Sequence, residues 1–400
     1  MSNLSNKAFQ TRAIHAGERK QPANYTPVST PIWPTVGYLY ESMEDTDAVL
    51  GGTQAGFVYP RYASPTVSAL EEAIASLEGA DGVQAYGTGM AAIHSALLVA
   101  GARAGTSVLA ALDVYGATFS MLRGLFTSLG VSVRFVDASD HPAVLKALQE
   151  IHPVCLVVET ISNPLLKVAD IPTLAKMAHE NGAALLVDNT FASPYLFTPL
   201  QHGADYVIHS ATKYMAGHGD VMAGVVATSA ENKKKLYEMN KLVGSILGPF
   251  EAWLTLRGLK TLPLRMRQHC QNAQIVAEWL DAHPRIARVN YPGLANHPHQ
   301  ALARELFAGK GFGGILSFEI SGADKAMAFR FMEALELCLP ATTLGDVYSL
   351  VLHPATSSHR SLTPQERELI GISDGLVRLS TGIEEVADIL ADLDQALGKI

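Results

Sequence analysis

The sequence predicts an α/β protein with a largely parallel, buried sheet, followed by a smaller α/β unit. Three observations predict it. From about Thr66, short apolar runs alternate with helical stretches, the pattern of strands covered by helices on both faces. Polar residues collect directly after those runs, where ligands bind in open α/β sheets. The 400 residues, 48% of them hydrophobic, suffice for a large core and a second unit.

Residues 1–65 form the first part of the chain. From Gln21 to Pro65 it is rich in Gly, Pro, Thr and Tyr and lacks helical periodicity, which reads as an extended arm. A helix over 67–78 follows, stopped by Gly79 at the position where a left-handed glycine ends helices. The short run 83–86 turns at Gly87-Thr88-Gly89 into a helix over 91–100. Candidate strands then recur at 107–112, 131–136, 155–159, 184–188, 206–210 and 223–228, with helices such as 171–180 between them. These fill a unit spanning 66–250. A break at Gly248-Pro249 and a long amphipathic stretch over 251–283 lead into the unit at 251–400, with strands at 315–320, 349–354 and 376–383 and a final helix.

Composition narrows the function classes. With 30 Lys+Arg against 38 Asp+Glu, the net charge is -8, so no basic footprint for nucleic acid is expected. No segment is apolar enough for a signal peptide or a membrane span. Three cysteines, Cys155, Cys270 and Cys338, are widely spaced in apolar contexts and read as reduced thiols. A cytoplasmic enzyme acting on a small molecule is expected.

The chemistry gathers at the strand ends. Asp188 closes one apolar run and Lys213 follows the next. If the two strands are parallel neighbours, both side chains emerge at one sheet edge, the arrangement a pyridoxal-phosphate site needs. The lysine amine forms a Schiff base with the cofactor aldehyde, and a carboxylate keeps the pyridine nitrogen protonated. Alone, Asp188 would read as a helix cap and Lys213 as a surface lysine. Ser210 and Thr212 supply hydroxyls for a phosphate. Gly89 and Met90 begin a helix whose free N–H groups suit an anion, and glycine allows close approach.

Two other motifs compete. Gly87-x-Gly89-x-x-Ala92 with Asp113 matches the dinucleotide fingerprint of an NAD-dependent oxidoreductase, although only a short run precedes it. Ser210-x-x-Lys213 matches a serine-hydrolase motif whose Ser-Asp-Asn and Lys-Thr-Gly companions are missing.

Taken together, the chain resembles the Cys/Met-metabolism family of pyridoxal-phosphate enzymes, which includes methionine γ-lyases, cystathionine γ-lyases and γ-synthases, and homoserine-ester sulfhydrylases. The likeness rests on Tyr59-Pro60-Arg61-Tyr62, Gly89-Met90-Ala91-Ala92, Asp113-Val114-Tyr115-Gly116, Glu159-Thr160 with Ser162-Asn163-Pro164, Val187-Asp188-Asn189-Thr190, Ser210-Ala211-Thr212-Lys213-Tyr214 and Arg378-Leu379-Ser380. That resemblance implies an aspartate-aminotransferase-like fold (fold type I) and a homotetramer of tight dimers with active sites shared across the dimer interface. It implies that Tyr59 and Arg61 reach the phosphate of the neighbouring subunit, with Tyr59 also contacting the substrate, and that Tyr115 stacks on the ring and assists proton transfer. Asn163 would lie by the ring hydroxyl and near the substrate, Arg378 would grip the substrate carboxylate, and Thr343 would line the substrate site.

The resemblance also implies the reaction, an α,γ-elimination at a carbon–sulfur bond, with γ-replacement on an O-acylhomoserine as the alternative. Ala117 stands where methionine γ-lyases generally carry Cys, and Leu242 where they carry an acidic residue. Thr342, followed by Thr343, stands where cystathionine γ-lyases tend to carry Glu, so an uncharged pocket is expected. His297 and His299 lack companions for a metal site and read as a loop. Gly311 to Gly314 reads as a turn into a strand.

Overall fold

The computed structural model describes residue 4 and residues 6–17, 26–360 and 362–400. Positions 21–25, where the arm begins, lie outside the described residues. The rest of the arm is not extended throughout: Met43–Leu50 is a helix. Its start is fixed by the Ser42 hydroxyl, which accepts from the Asp45 N–H, and by Glu44 and Asp45 in its first turn, both favourable at a helix N-terminus. Too short for a clear period, it left no helical pattern in the sequence.

Seven strands form the larger sheet: β1 (Gly82–Tyr86), β2 (Ser107–Ala111), β3 (Ser132–Val136), β4 (Cys155–Glu159), β5 (Ala184–Asp188), β6 (Tyr206–His209) and β7 (Gly224–Thr228). Their order is β1-β7-β6-β5-β4-β2-β3. β7 runs antiparallel to both neighbours and the remaining pairs are parallel. Helices cover both faces, so the central strands are buried on both sides and read as unbroken apolar runs. Pro65–Glu78 packs on one face and Gly89–Val99 on the other, each against its own apolar cluster. Gly79 ends the first of these helices at φ +69°.

The second sheet is mostly antiparallel, with β8 (Ile286–Asn290), β9 (Ile315–Ile320), β10 (Leu339–Pro340), β11 (Leu350–Leu352) and β12 (Leu376–Ser380) in the order β10-β11-β12-β9-β8. Helices Leu262–Asp281 and Val386–Gly398 back it, and Val276, Leu280, Phe318, Phe331, Leu379 and Leu393 are in its core. Leu262–Asp281 serves both cores: Leu262 and Met266 belong to the first cluster, Ala273 to Leu280 to the second. Among the described residues, no helix is long and apolar enough to cross a membrane.

Candidate active site

A cavity of about 520 Å³ opens at the carboxyl ends of β4, β5 and β6 and is closed by residues from the second sheet. Asp188 is the last residue of β5, and β6 runs parallel beside it with Asp188 opposite Ile208. The turn after β6 carries Ser210, Thr212 and Lys213 into the same cavity. Arg378 arrives from β12. The expected constellation of Gly89, Met90, Tyr115, Asn163, Asp188, Ser210, Thr212, Lys213 and Arg378 therefore lines one space.

Lys213 Nζ donates to the Thr343 hydroxyl at 2.9 Å. Burial lowers the pKa of this lysine, the positive charge of Arg378 lowers it further, and Asp346 opposes them. Arg378 is 3% exposed and donates to Asn163 Oδ1 at 3.1 Å and to the Thr343 carbonyl at 3.0 Å. Its Nε is buried with no hydrogen-bond partner among the described residues. Burial brings its pKa down to about 10, so it is a cation at neutral pH without a carboxylate bonded to it. A planar fork in that state suits an incoming carboxylate.

Glu159 and Asp188 lie opposite each other on β4 and β5. Burial pushes the Glu159 carboxyl well above its ordinary range, and the Asp188 charge adds to this. Burial also raises Asp188, but hydrogen bonds from Thr190 and the charge of His209 oppose that. Two carboxyls this close do not both ionise readily. Of the two, Glu159 is pushed up further, because at Asp188 the Thr190 hydrogen bonds offset part of the burial. Glu159 also accepts from the Tyr115 N–H at 2.6 Å, which fixes the backbone beneath the Tyr115 ring, itself 41% exposed.

The anion end is built from backbone. The Thr88 hydroxyl caps the helix Gly89–Val99 by accepting from the Ala91 N–H at 3.0 Å. The earliest N–H groups of a helix have no partner within it, and Gly89 and Met90 line the cavity. A Cβ on Gly89 would stand 2.9 Å from Ser210 Cβ and 3.0 Å from its hydroxyl, so only glycine leaves Ser210 its place. Thr212 is held by Ala223, whose N–H it accepts at 3.0 Å.

The family follows from a match that spans the fold. The sequence matches the model of the Cys/Met metabolism PLP-dependent enzymes over residues 10–398. The chain belongs to that family. It is 42% identical over 400 residues to the L-methionine gamma-lyase of Fusobacterium nucleatum subsp. nucleatum, covering 99% of this chain and 100% of that one. It is 41% identical over 399 residues to the O-succinylhomoserine sulfhydrylase of Pseudomonas aeruginosa, covering 100% and 97%. A solved structure of cystathionine gamma synthase from Xanthomonas oryzae pv. oryzae, in complex with aminoacrylate and cysteine, superposes with a TM-score of 0.92 at 38% identity, over 98% of each chain.

Members of this family are PLP-dependent enzymes of fold type I, and so is this chain. The cavity fits the cofactor: an anion end with free helix N–H groups, a glycine cradle that a Cβ would fill, an amine with lowered pKa, and a carboxyl at a buried strand end. The dinucleotide alternative falls on topology. β1 is an antiparallel edge strand rather than the first strand of a parallel βαβ unit, and Asp113 lines a separate small cavity behind Glu159.

Two expected site residues are elsewhere in this chain. Arg61 donates to the Lys241 carbonyl and lies over the rings of Tyr59 and Tyr62 at 5.4 and 5.0 Å. Neither Tyr59 nor Arg61 lines the main cavity. Thr343 bonds Lys213 from a position between the cavity residues Thr342 and Leu344. Sequence reasoning missed Thr190, whose hydroxyl accepts from the Ser210 N–H at 2.8 Å, and Ser357 and Ser358, which line the cavity. Thr190 follows Asp188-Asn189 directly, so that signal was present. Among the described residues no cluster of potential metal ligands occurs; His299 accepts from the Val168 N–H at 2.9 Å.

Proposed function

We propose that the enzyme is a carbon–sulfur lyase performing α,γ-elimination on a sulfur amino acid, methionine, homocysteine or cystathionine. Water is consumed, and 2-oxobutanoate, ammonia and a thiol are released. One observation carries this reading. Of the described residues lining the cavity, only Glu159, Asp188, Lys213 and Arg378 are of charged types. The two carboxyls sit at strand ends, and Arg378 would take the substrate carboxylate. Among the described lining residues no further charged type is left to receive a distal ammonium, which favours methionine or homocysteine over cystathionine, and Ile161, Met222, Thr342 and Leu344 offer a neutral, partly apolar surface. A short thioether or thiol suits such a wall. Ala117 and Leu242, the two departures from methionine γ-lyases, are not among the lining residues.

Bound pyridoxal phosphate supplies an electron sink that makes the α-hydrogen acidic. Lys213 would hold the cofactor and, once released from it, take the α-proton, its lowered pKa making the neutral amine accessible. Tyr115 would stack on the ring and assist proton transfer, while Asp188 would keep the ring nitrogen protonated. Asn163 would sit by the ring hydroxyl and steady Arg378, to which it is bonded. Gly89, Met90, Ser210 and Thr212 would hold the phosphate. Thr343 keeps the lysine aligned.

The likeness to a sulfhydrylase and a γ-synthase favours a second reading, γ-replacement on an O-acylhomoserine. The two separate in one assay. Elimination yields 2-oxobutanoate from L-methionine or L-homocysteine without added thiol. Absence of the oxo acid, with homocysteine formed from an O-acylhomoserine and sulfide, would show replacement instead.

The assembly in this reading is a cytoplasmic homotetramer in which Tyr59 and Arg61 complete the neighbouring subunit's phosphate site. Their distance from this chain's own cavity supports it, as do the exposed Val28, Val36, Leu39 and Met43 along the arm. Mixing Arg61→Ala with Lys213→Ala protein tests the sharing: hybrid dimers regain activity that neither parent has, and no regain means each site is built from one chain.

A further inference from the structure

On the face of the large sheet opposite the cavity, one buried carboxylate reaches the ends of two strands that carry the site. Successive strand residues point to opposite faces, so Asn189 follows Asp188 onto the far side and His209 precedes Ser210 there. Glu78, the last residue of the helix Pro65–Glu78, meets both. Its Oε1 accepts from His209 Nε2 at 2.5 Å and from Asn189 Nδ2 at 3.3 Å. Asn189 also donates to the Phe197 carbonyl at 2.9 Å and accepts from the Thr160 hydroxyl at 2.7 Å. Thr160 in turn directly follows Glu159. Glu78, Asn189 and Thr160 are 0% exposed and His209 is 1%. One network thus ties the last turns of β4, β5 and β6 together from behind.

Stability does not account for it. Glu78 Oε2 is buried without a hydrogen-bond partner among the described residues, and a buried acid–base pair is often matched or exceeded in stability by an apolar pair of similar volume. What the pair adds is direction: hydrogen bonds at fixed angles hold strand ends in one register, which apolar packing does less strictly. The residues so held on the cavity face are Asp188 and Ser210, with Lys213 one turn further.

We infer that Glu78 and His209 are positioning residues which, from behind the sheet, set the placement of Asp188 and Ser210 around the cofactor and hence its affinity and orientation. This rests on the assignment of Asp188, Ser210 and Lys213 to the cofactor site. Neither residue lines the cavity, so any effect on the cofactor passes through its neighbours.

The test compares wild type with the double variant Glu78→Met/His209→Leu and with His209→Asn, whose side chain is too short to reach Glu78. Three quantities are read: the melting temperature of the cofactor-free protein, the dissociation constant of pyridoxal phosphate, and the visible circular dichroism of the bound cofactor. The expected result is a cofactor-free melting temperature close to or above that of wild type for the double variant, with affinity weakened about tenfold and a diminished dichroic band. Unchanged affinity and dichroism overturn the inference, whether or not both forms lose stability equally. Should the double variant not fold, His209→Asn decides by the same two cofactor readings. Lys213→Ala serves as the control: if it still forms the lysine-bound cofactor band that borohydride abolishes in wild type, the underlying site assignment fails instead.

Discussion

Lys213 and Arg378 are joined through one residue: Thr343 accepts the lysine Nζ on its hydroxyl at 2.9 Å and the arginine on its carbonyl at 3.0 Å. Replacing Thr343 with valine removes the first bond and leaves the second. A hydrogen bond to a charged or ionisable group contributes about 1–2 kcal/mol, so kcat should fall about tenfold while KM and cofactor content stay near wild type. Steady-state kinetics on holoenzyme check this. A rise in KM with kcat unchanged would assign Thr343 to substrate binding alone.

The pKa of Lys213 is lowered by burial and by Arg378, and Asp346 alone opposes them. Asp346→Asn removes the opposing charge, so the amine becomes neutral at a lower pH. In the proposed reading the neutral amine is the form that would bond the cofactor aldehyde. The rate at which cofactor-free enzyme takes up pyridoxal phosphate should therefore climb with pH and reach its half-maximum at lower pH in the variant. Stopped-flow absorbance over pH 6–10 measures it, and a midpoint moved upward refutes the assigned charge balance.

His269 donates Nδ1–H to the Thr381 carbonyl at 2.7 Å and is fully buried. Burial brings its pKa down to about 4 from 6.5. The unfolded chain then binds more protons than the native one between those values. This imidazole's contribution is complete above pH 6.5 and is lost as pH falls toward 4, by roughly 3 kcal/mol. His359, also near 4 through burial, acts in the same direction. Urea unfolding at pH 7.5 and 5 should show the loss, and His269→Gln should flatten it. An unchanged slope in that variant would place the acid sensitivity elsewhere.

Gly89→Ala probes the cradle. Overpacking of this kind costs about 1–3 kcal/mol, so the cofactor-free protein should melt somewhat earlier than wild type. The added Cβ displaces Ser210, and cofactor affinity should weaken about tenfold. Titration of the cofactor-free protein followed by absorbance reads it; full affinity would show that Ser210 yields freely.

Much of this site was legible because parallel strands impose it. Apolar runs ending in Glu159, Asp188 and His209 signal buried strands, and a parallel sheet aligns their ends at one edge. Strand order was not legible: that β7 slots antiparallel between β1 and β6 depends on non-local pairing. So does the juxtaposition of Glu159 with Asp188, which raises the Glu159 carboxyl beyond what burial alone does. The Glu78–His209 pair was invisible for the same reason. A glutamate closing a helix before Gly79 looks solvent-facing until the sheet is folded against it. The Met43–Leu50 helix escaped because its start depends on one serine cap rather than a repeating face.

The bridge at Thr343 also has a handedness. If, as proposed, Arg378 holds the carboxylate of a bound amino acid and the cofactor its nitrogen, the α-carbon would have one remaining choice: which of its other two substituents faces Lys213. For an enzyme that works on L-amino acids, that substituent would be hydrogen in the L-enantiomer. In the mirror image the side chain would take its place, and the lysine would meet carbon instead of a removable proton. D-Methionine should therefore occupy the cavity as a competitive inhibitor whose α-hydrogen does not exchange with deuterated solvent.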